Sequence, residues 1–450
     1  MITIGFNKKF FTLGHRPTLT MLTLIPIFLT ALLSTSHAEQ ISLEQAIAIG
    51  LKNNFDIKIS KNTSQIAQNN KKLGVGGMLP NLTASASTNK AITDEGITVP
   101  SGDITTTTSS LQGALSWTLF DGFRMFRAYS SLQESAELSK MQSKDAVERM
   151  VVKIIQAYFN AVTQTALCSA SVHQVEISKN RLKKIELKRD LGGSTETERL
   201  NAKVALNADL SVSQQLELAR ITAFNQLKIL LGMSYTESLN IDGDIILPGP
   251  SGELDHWLSL AKKNNAALSM QQKAKRLAEL NLAIQRSAYW PIIQLTGGYG
   301  ISNSSTDPTP TLSSRDGTYS SASISLQATM HLFTGFKNVT NVKNTKLSLE
   351  NQNLTLKQYE LQLEALVYQQ WETIQNAYQQ VEYNLEGVEL AERHLALVTD
   401  KYNMGKVNSM EYREAQISLI KAEINLASSK FQARLAQVEL ERLGGKIKVD

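Results

Sequence analysis

Two hydrophobic periods take turns along this 450-residue chain, and each occurs twice. Between Pro80 and Phe120 apolar and polar residues alternate. Leu82, Ala84 and Ala86 face off against Thr83, Ser85 and Ser87, then Leu111, Gly113, Leu115, Trp117 and Leu119 against Gln112, Ala114, Ser116 and Thr118. The period returns in Ile293, Leu295, Gly297, Tyr299 and Ile301, and again in Ile324, Leu326, Ala328, Met330 and Leu332. A period of two predicts strands with one apolar and one Ser/Thr/Gln face, over 81–90, 108–120, 292–302 and 318–333. Each alternating run within them is about ten residues, the length at which a tilted strand crosses a bilayer. A soluble hairpin with one buried face gives the same alternation.

After each strand pair comes a proline-free tract, Phe123 to Asp190 and Lys337 to Asn403. In the second, Ile374, Tyr378, Val381, Leu385, Val388, Ala391, Leu395, Val398 and Tyr402 recur at threes and fours. Returning helices over 195–231 and 408–443 are expected, the latter keeping sevens in Met410, Ile417, Ile424, Phe431 and Val438. This is a coiled-coil seam that doubles back at Gly192-Gly193 and at Gly405. At about 1.5 Å per residue each long tract makes a rod near 100 Å. A helix over 265–289 and the return helix, end to end, nearly match it in length. Pro80 and Pro291 mark where helix gives way to strand. The polar stretches 89–107 and 302–316 read as long exposed loops. The turns Phe120-Asp121-Gly122 and Phe333-Thr334-Gly335 combine an interfacial aromatic, a capping side chain and a permissive glycine.

The two halves are copies. Leu119 to Phe123 returns as Leu332 to Phe336 at an offset of 213, which also carries Tyr158 onto Trp371, Gly192 onto Gly405, Glu198 onto Glu411 and Ala202 onto Ala415. Asn53-Asn54 and Pro80 align with Asn264-Asn265 and Pro291 at 211. The chain thus divides into a first repeat over 39–231, a connecting segment over 232–263 and a second repeat over 264–450. The connecting segment, residues 39–52 and the tail should form a small mixed belt near mid-length. Four strands cannot close a barrel, and open edges are not tolerated in lipid, so the chain must oligomerise.

Residues 1–38 read as a secretory signal: Lys8, Lys9 and Arg16, an apolar run from Met21 to Leu33, and Ser36-His37-Ala38 for cleavage. Without them 43 basic residues face 41 acidic ones, a near-neutral balance that gives a nucleic-acid partner no support. The single cysteine, Cys168, shares the seat of Val381 and is expected to pack as a small apolar residue. No metal-ligand spacing, phosphate loop or nucleophile elbow occurs, so neither an enzyme nor a cofactor is expected.

Taken together, Leu43-Glu44-Gln45-Ala46, Asn53-Asn54, Leu79-Pro80, the two Leu-Phe-Asp/Thr-Gly turns and Tyr402-Asn403-Met404-Gly405 with Glu411 and Ala415 resemble the TolC-type outer-membrane efflux proteins. The resemblance implies an α+β membrane protein. Three chains would supply a twelve-stranded outer-membrane β-barrel, in lipid, continued by a periplasmic α-helical coiled-coil barrel. It implies a conduit joined by a periplasmic adaptor to an inner-membrane pump of RND, ABC or MFS type. A periplasmic adaptor without its own pore is the competing class. By the same resemblance Glu411 and Glu414, with Glu198 as the first-repeat equivalent of Glu411, ring the periplasmic aperture, and Tyr402 helps latch it. Val407 stands where the family can carry a basic latch residue. The tips Leu191, Gly192, Gly193 and Ser194, and Met404, Gly405, Lys406 and Val407, would dock the adaptor.

Overall fold

The computed structural model describes residues 40–94, 103–242, 247, 249, 252–307 and 316–447. The expected signal segment and the middles of both strand-connecting loops lie outside them. Each repeat runs helix, strand pair, long helix, return helix. In the first, β1 (Gln40–Ile41) and α1 (Leu43–Asn53) lead into α2 (Phe55–Asn70), β2 (Asn81–Asp94), β3 (Asp103–Phe120), α3 (Arg124–Asp190) and α4 (Glu196–Leu231). In the second, β4 (Asn240–Ile241) and α5 (Leu254–Asn264) lead into α6 (Ala266–Arg286), β5 (Ile292–Asp307), β6 (Gly317–Thr329), α7 (Lys337–Asn403) and α8 (Ser409–Leu443). Both long helices have 67 residues. Among the described residues no helix is long and apolar enough to cross a membrane.

The four long strands form one antiparallel sheet in the order β2-β3-β5-β6. Its register puts the alternating residues of all four strands on common faces. Leu82 pairs with Leu115, Leu115 with Gly297 and Gly297 with Ile324, while Trp117 pairs with Leu295 and Leu295 with Leu326. The other face carries Ser85, Gln112, Gly300 and Ser321 in one row. A sheet of this kind can face lipid on one side and water on the other.

Three expectations need correction. The strands run further than the apolar alternation, with Asp94 still paired to Asp103 and Ser304 to Gly317. Backbone pairing does not require apolar side chains, and Thr-rich segments suit a pleated backbone, so the loops are shorter than 89–107 and 302–316. At the other end β6 stops at Thr329, which leaves Met330 and Leu332 beyond the strand. Finally, α2 ends at Asn70, so only Pro291 follows a helix closely; Pro80 simply precedes β2.

The small belt forms as expected. β1 and β4 pair in parallel, and Tyr158 of α3 donates its hydroxyl to the carbonyls of Ile41 (3.0 Å) and Asp242 (3.1 Å). Its twin Trp371 donates Nε1 to the Gly252 carbonyl at 3.2 Å. One buried cluster gathers Ile154, Tyr158, Leu227, Leu231 and Val438, and a second gathers Trp257, Leu363, Val367, Ile374 and Leu440.

The Asn-Asn motif acquires a reason. Asn54 caps α2 through its side-chain oxygen and donates Nδ2 to the Leu230 carbonyl at 2.9 Å; Asn265 caps α6 likewise and donates Nδ2 to Leu443 at 3.1 Å. Both asparagines are buried, and each staples the start of one helix to the end of the return helix of its repeat. The amide supplies both functions from separate atoms, its oxygen accepting the cap and its nitrogen donating to the distant carbonyl.

Candidate functional site

The two hairpin tips turn identically. Gly192 (φ 80°) and Gly405 (φ 73°) adopt the left-handed conformation that ends a helix at glycine. Gly193 N–H donates to the Lys188 carbonyl at 2.7 Å, and Lys406 N–H to Lys401 at 2.8 Å. Thr195 then caps α4, accepting from Glu198 N–H at 3.2 Å, and Asn408 caps α8, accepting from Glu411 N–H at 3.0 Å. Leu191 and Met404 are exposed at the tips.

Side-chain chemistry at the tips differs. In hairpin one (α3 with α4) Glu196 takes Arg199 Nε at 3.0 Å and Arg189 Nη1 at 3.4 Å. In hairpin two (α7 with α8) the seats of those arginines hold Tyr402 and Tyr412, stacked with ring centres 4.9 Å apart and 7° between planes. Glu198 is engaged locally: its carboxylate accepts from the Ser194 hydroxyl and from Thr195 N–H at 3.3 Å, and these bonds, the Ser194 one first, lower its pKa. Glu411 and Glu414 are both exposed in the first turns of α8, three residues apart on one face. Tyr402 lies apart from that face, in a cleft of about 220 Å³ lined by Ile177, Asn180, Arg181, Lys184, Tyr412 and Gln416.

Beside that cleft lies a polar network that the sequence pattern did not disclose. Arg413 of α8 donates Nη2 to Asp209 Oδ1 of α4 at 2.9 Å and Nη1 to Ser178 Oγ of α3 at 3.2 Å. The Ser178 hydroxyl and Gln174 Nε2 (3.4 Å) both donate to Asp209 Oδ2. Burial first, and Arg413 second, lower the pKa of the neighbouring Arg181. These residues stand at seam spacing where polar side chains read as an ordinary solvated face. Comparison of each with its twin seat was the available signal.

The strand-to-helix turns behave as expected and add one feature. Asp121 Oδ1 accepts from Met125 N–H at 3.1 Å, and Thr334 Oγ1 from Asn338 N–H at 3.4 Å. Gly122 and Gly335 take positive φ, and so do Phe123 and Phe336, both at 65°. Left-handed phenylalanine is rare and costs about 1–2 kcal/mol. Each ring is held edge-on against Phe120 (5.3 Å) or Phe333 (5.5 Å).

The family model for outer membrane efflux proteins matches residues 47–233 and 257–446, one stretch per repeat. The chain belongs to this outer membrane efflux protein family. It is accordingly an outer-membrane efflux or secretion channel protein of the Gram-negative envelope. Protein CyaE of Bordetella pertussis is 22% identical over 340 residues, covering 74% of this chain and 70% of that protein. The fold is shared with the Campylobacter jejuni CmeC outer membrane channel (TM-score 0.74, 17% identity, covering 90% of this chain and 87% of that one). It is shared equally with the open state of the Neisseria gonorrhoeae MtrE outer membrane channel (TM-score 0.72, 18% identity, covering 90% and 89%).

In this efflux protein Cys168 is buried as its seat predicts, but it is not purely apolar packing. Its thiol donates to Glu217 Oε2 at 3.1 Å, and burial first, then that carboxylate, raise its pKa. Among the described residues no group of His, Cys, Asp and Glu could hold a metal ion.

Proposed function

We propose that three copies of this chain close one barrel of twelve strands and continue it as a barrel of twelve helices. The duct so formed is a passive conduit, opened by a periplasmic adaptor docked on the hairpin tips and fed by an inner-membrane pump. The observation that carries this is the four-stranded sheet, apolar on one face and polar on the other, whose outer strands β2 and β6 each pair on one side only. In lipid such edges must find partners, and copies of the same sheet supply them with matching register and faces. The two-faced sheet also disfavours a soluble periplasmic adaptor, which has no use for a second apolar surface at the end of its helices.

Glu411 and Glu414 then line the periplasmic aperture in three copies, a ring of carboxylates that favours cations. Glu198, held in its capping box, contributes fixed negative charge close by and is not free to swing into the pore.

The test is detergent-extracted protein reconstituted into planar bilayers, with its heat-resistant oligomer sized in parallel. A trimer with discrete cation-selective conductance is expected, and Glu411→Ala with Glu414→Ala should lower the cation preference about two-fold or more. Recovery as a water-soluble monomer would overturn the channel reading. Unchanged selectivity would remove the two glutamates from the pore lining.

A further inference from the structure

Level with the belt, where α3 runs between α4 and α8, the surface opens into a groove of about 620 Å³. Its apolar lining is Ala157 of α3, Ile229 and Leu230 of α4, and Phe431 and Leu435 of α8. Ala157, Leu230 and Phe431 rest on the buried cluster around Ile154 and Tyr158, so packed core backs the groove. Ile229, by contrast, is 71% exposed. A concave apolar surface of this size suits a small molecule, and all of its lining comes from one chain.

Charge narrows the choice of ligand. No acidic residue lines the groove, and the one charged group there is the ammonium of Lys153, which is exposed and makes no ion pair with any described residue. The duplication supplies a control. At the offset of 213, Lys153, Ala157 and Ile229 fall on Leu366, Gln370 and Arg442. In the second repeat these polar groups are spent on the chain itself: Gln370 donates to the Ala436 carbonyl at 2.9 Å and Arg442 bonds Glu439 at 2.6 Å. An apolar lining with an unspent cation is therefore peculiar to the first repeat.

The groove also faces away from the belt. Tyr158 turns towards the belt carbonyls, whereas Lys153, Gln156 and Asn160 stand roughly 140–160° round α3 from it, at 100° per residue. In a duct the belt must lie outside, since inside it would obstruct the bore, and the groove then looks inward. Phe431 is 20 residues along α8 from Glu411, or about 30 Å, more than three screening lengths at physiological salt. The carboxylates near the tip thus do not set the potential at Lys153.

We propose that this groove binds an amphipathic anion, an apolar chain or ring system bearing one carboxylate, and that it presents this ligand to the bore. The apolar body lies on Ile229, Phe431 and Leu435, and the carboxylate pairs with Lys153. The inward placement rests on the channel reading, while the site itself does not. An open groove releases its ligand readily, as a conduit requires of any site along its path.

The experiment uses the full-length trimer in lipid nanodiscs with Leu435→Trp as a reporter, titrated with 11-bromoundecanoate, whose bromine quenches indole on contact. The corresponding alcohol and trimethylammonium compounds are head-group controls, and the parent protein corrects for quenching of the native tryptophans. Saturable quenching is expected, with the carboxylate about five-fold tighter than the alcohol, the size of one exposed ion pair. Lys153→Gln should abolish that difference, Lys153→Glu should pass the preference to the ammonium compound, and Ile229→Asn should weaken all three. If Leu435→Trp does not assemble, Ile229→Trp reports from the opposite wall. In bilayers the carboxylate should lower the single-channel current of the parent and spare that of Ile229→Asn. Quenching that does not saturate, or that ignores both Lys153 variants, would overturn the site, as would a groove covered by a neighbouring copy. Saturable quenching with an unaltered current through a conducting trimer would overturn the inward placement. The same quenching in a protein that never conducts would uphold the site and overturn the channel reading.

Discussion

Hairpin one and hairpin two share a skeleton and almost none of their surface chemistry. The glycine turn, the capping residue and the asparagine staple recur at matching seats in both. The Arg-Glu-Arg cluster of one is replaced by stacked tyrosines in the other, and Ser178 and Asp209, which accept from Arg413, have alanine twins. The difference teaches that hairpin geometry is fixed by a few residues that satisfy backbone groups. The remaining positions are free to acquire separate tasks.

The equivalence is best broken at the staples. Asn54→Ala and Asn265→Ala should each cost about 2–4 kcal/mol, because a cap is lost and the carbonyl of Leu230 or Leu443 is left buried without its donor. Chemical denaturation followed by circular dichroism measures both, and near-equal losses are expected. A loss confined to one repeat would mean that the shared skeleton is not shared energetically.

A smaller effect belongs to the turn glycines. A methyl group at Gly192 or Gly405 meets nothing within 4 Å, so alanine there costs only the left-handed backbone, about 1–2 kcal/mol. Hydrogen exchange at the tip amides should accelerate to a similar degree in both variants. If only Gly405→Ala did so, side-chain contacts rather than the shared turn would be setting tip rigidity.

The smallest effect sharpens a difference. Arg220 first, and the Cys168 thiol second, hold the Glu217 carboxylate down at about 2. A depressed carboxylate contributes stability that is fully present above its ordinary 4.5 and is lost as pH falls towards about 2. Glu217→Gln should therefore flatten the acid arm of the thermal midpoint against pH within that window. The twin seats hold Lys430 and Ala433, so Lys430→Gln should leave the arm as it was.

Much of this was legible beforehand. The long helices and returns fall within a residue of their expected limits, because period, glycine and capping residues all point the same way. The paired asparagines were visible as a motif, but their purpose depends on Leu230 and Leu443, which lie far off in sequence. Strand ends were hidden because Thr and Ser pair as well as they loop. Left-handed Phe123 and Phe336 were hidden because no side-chain preference announces them. Glu411 and Glu414 stand exposed on one face, while Arg413 between them was unreadable. A single arginine in a helix looks solvated until the helix facing it is known.

The open edges of β2 and β6 also carry a genetic consequence. On the trimeric reading no chain has a membrane wall of its own, so a defective copy that still pairs spoils the two sound copies beside it. With half the chains altered and random mixing, only about one assembly in eight is free of them. Aperture variants that keep the sheet intact should therefore act as dominant alleles, whereas variants that destroy the sheet should behave as recessive ones.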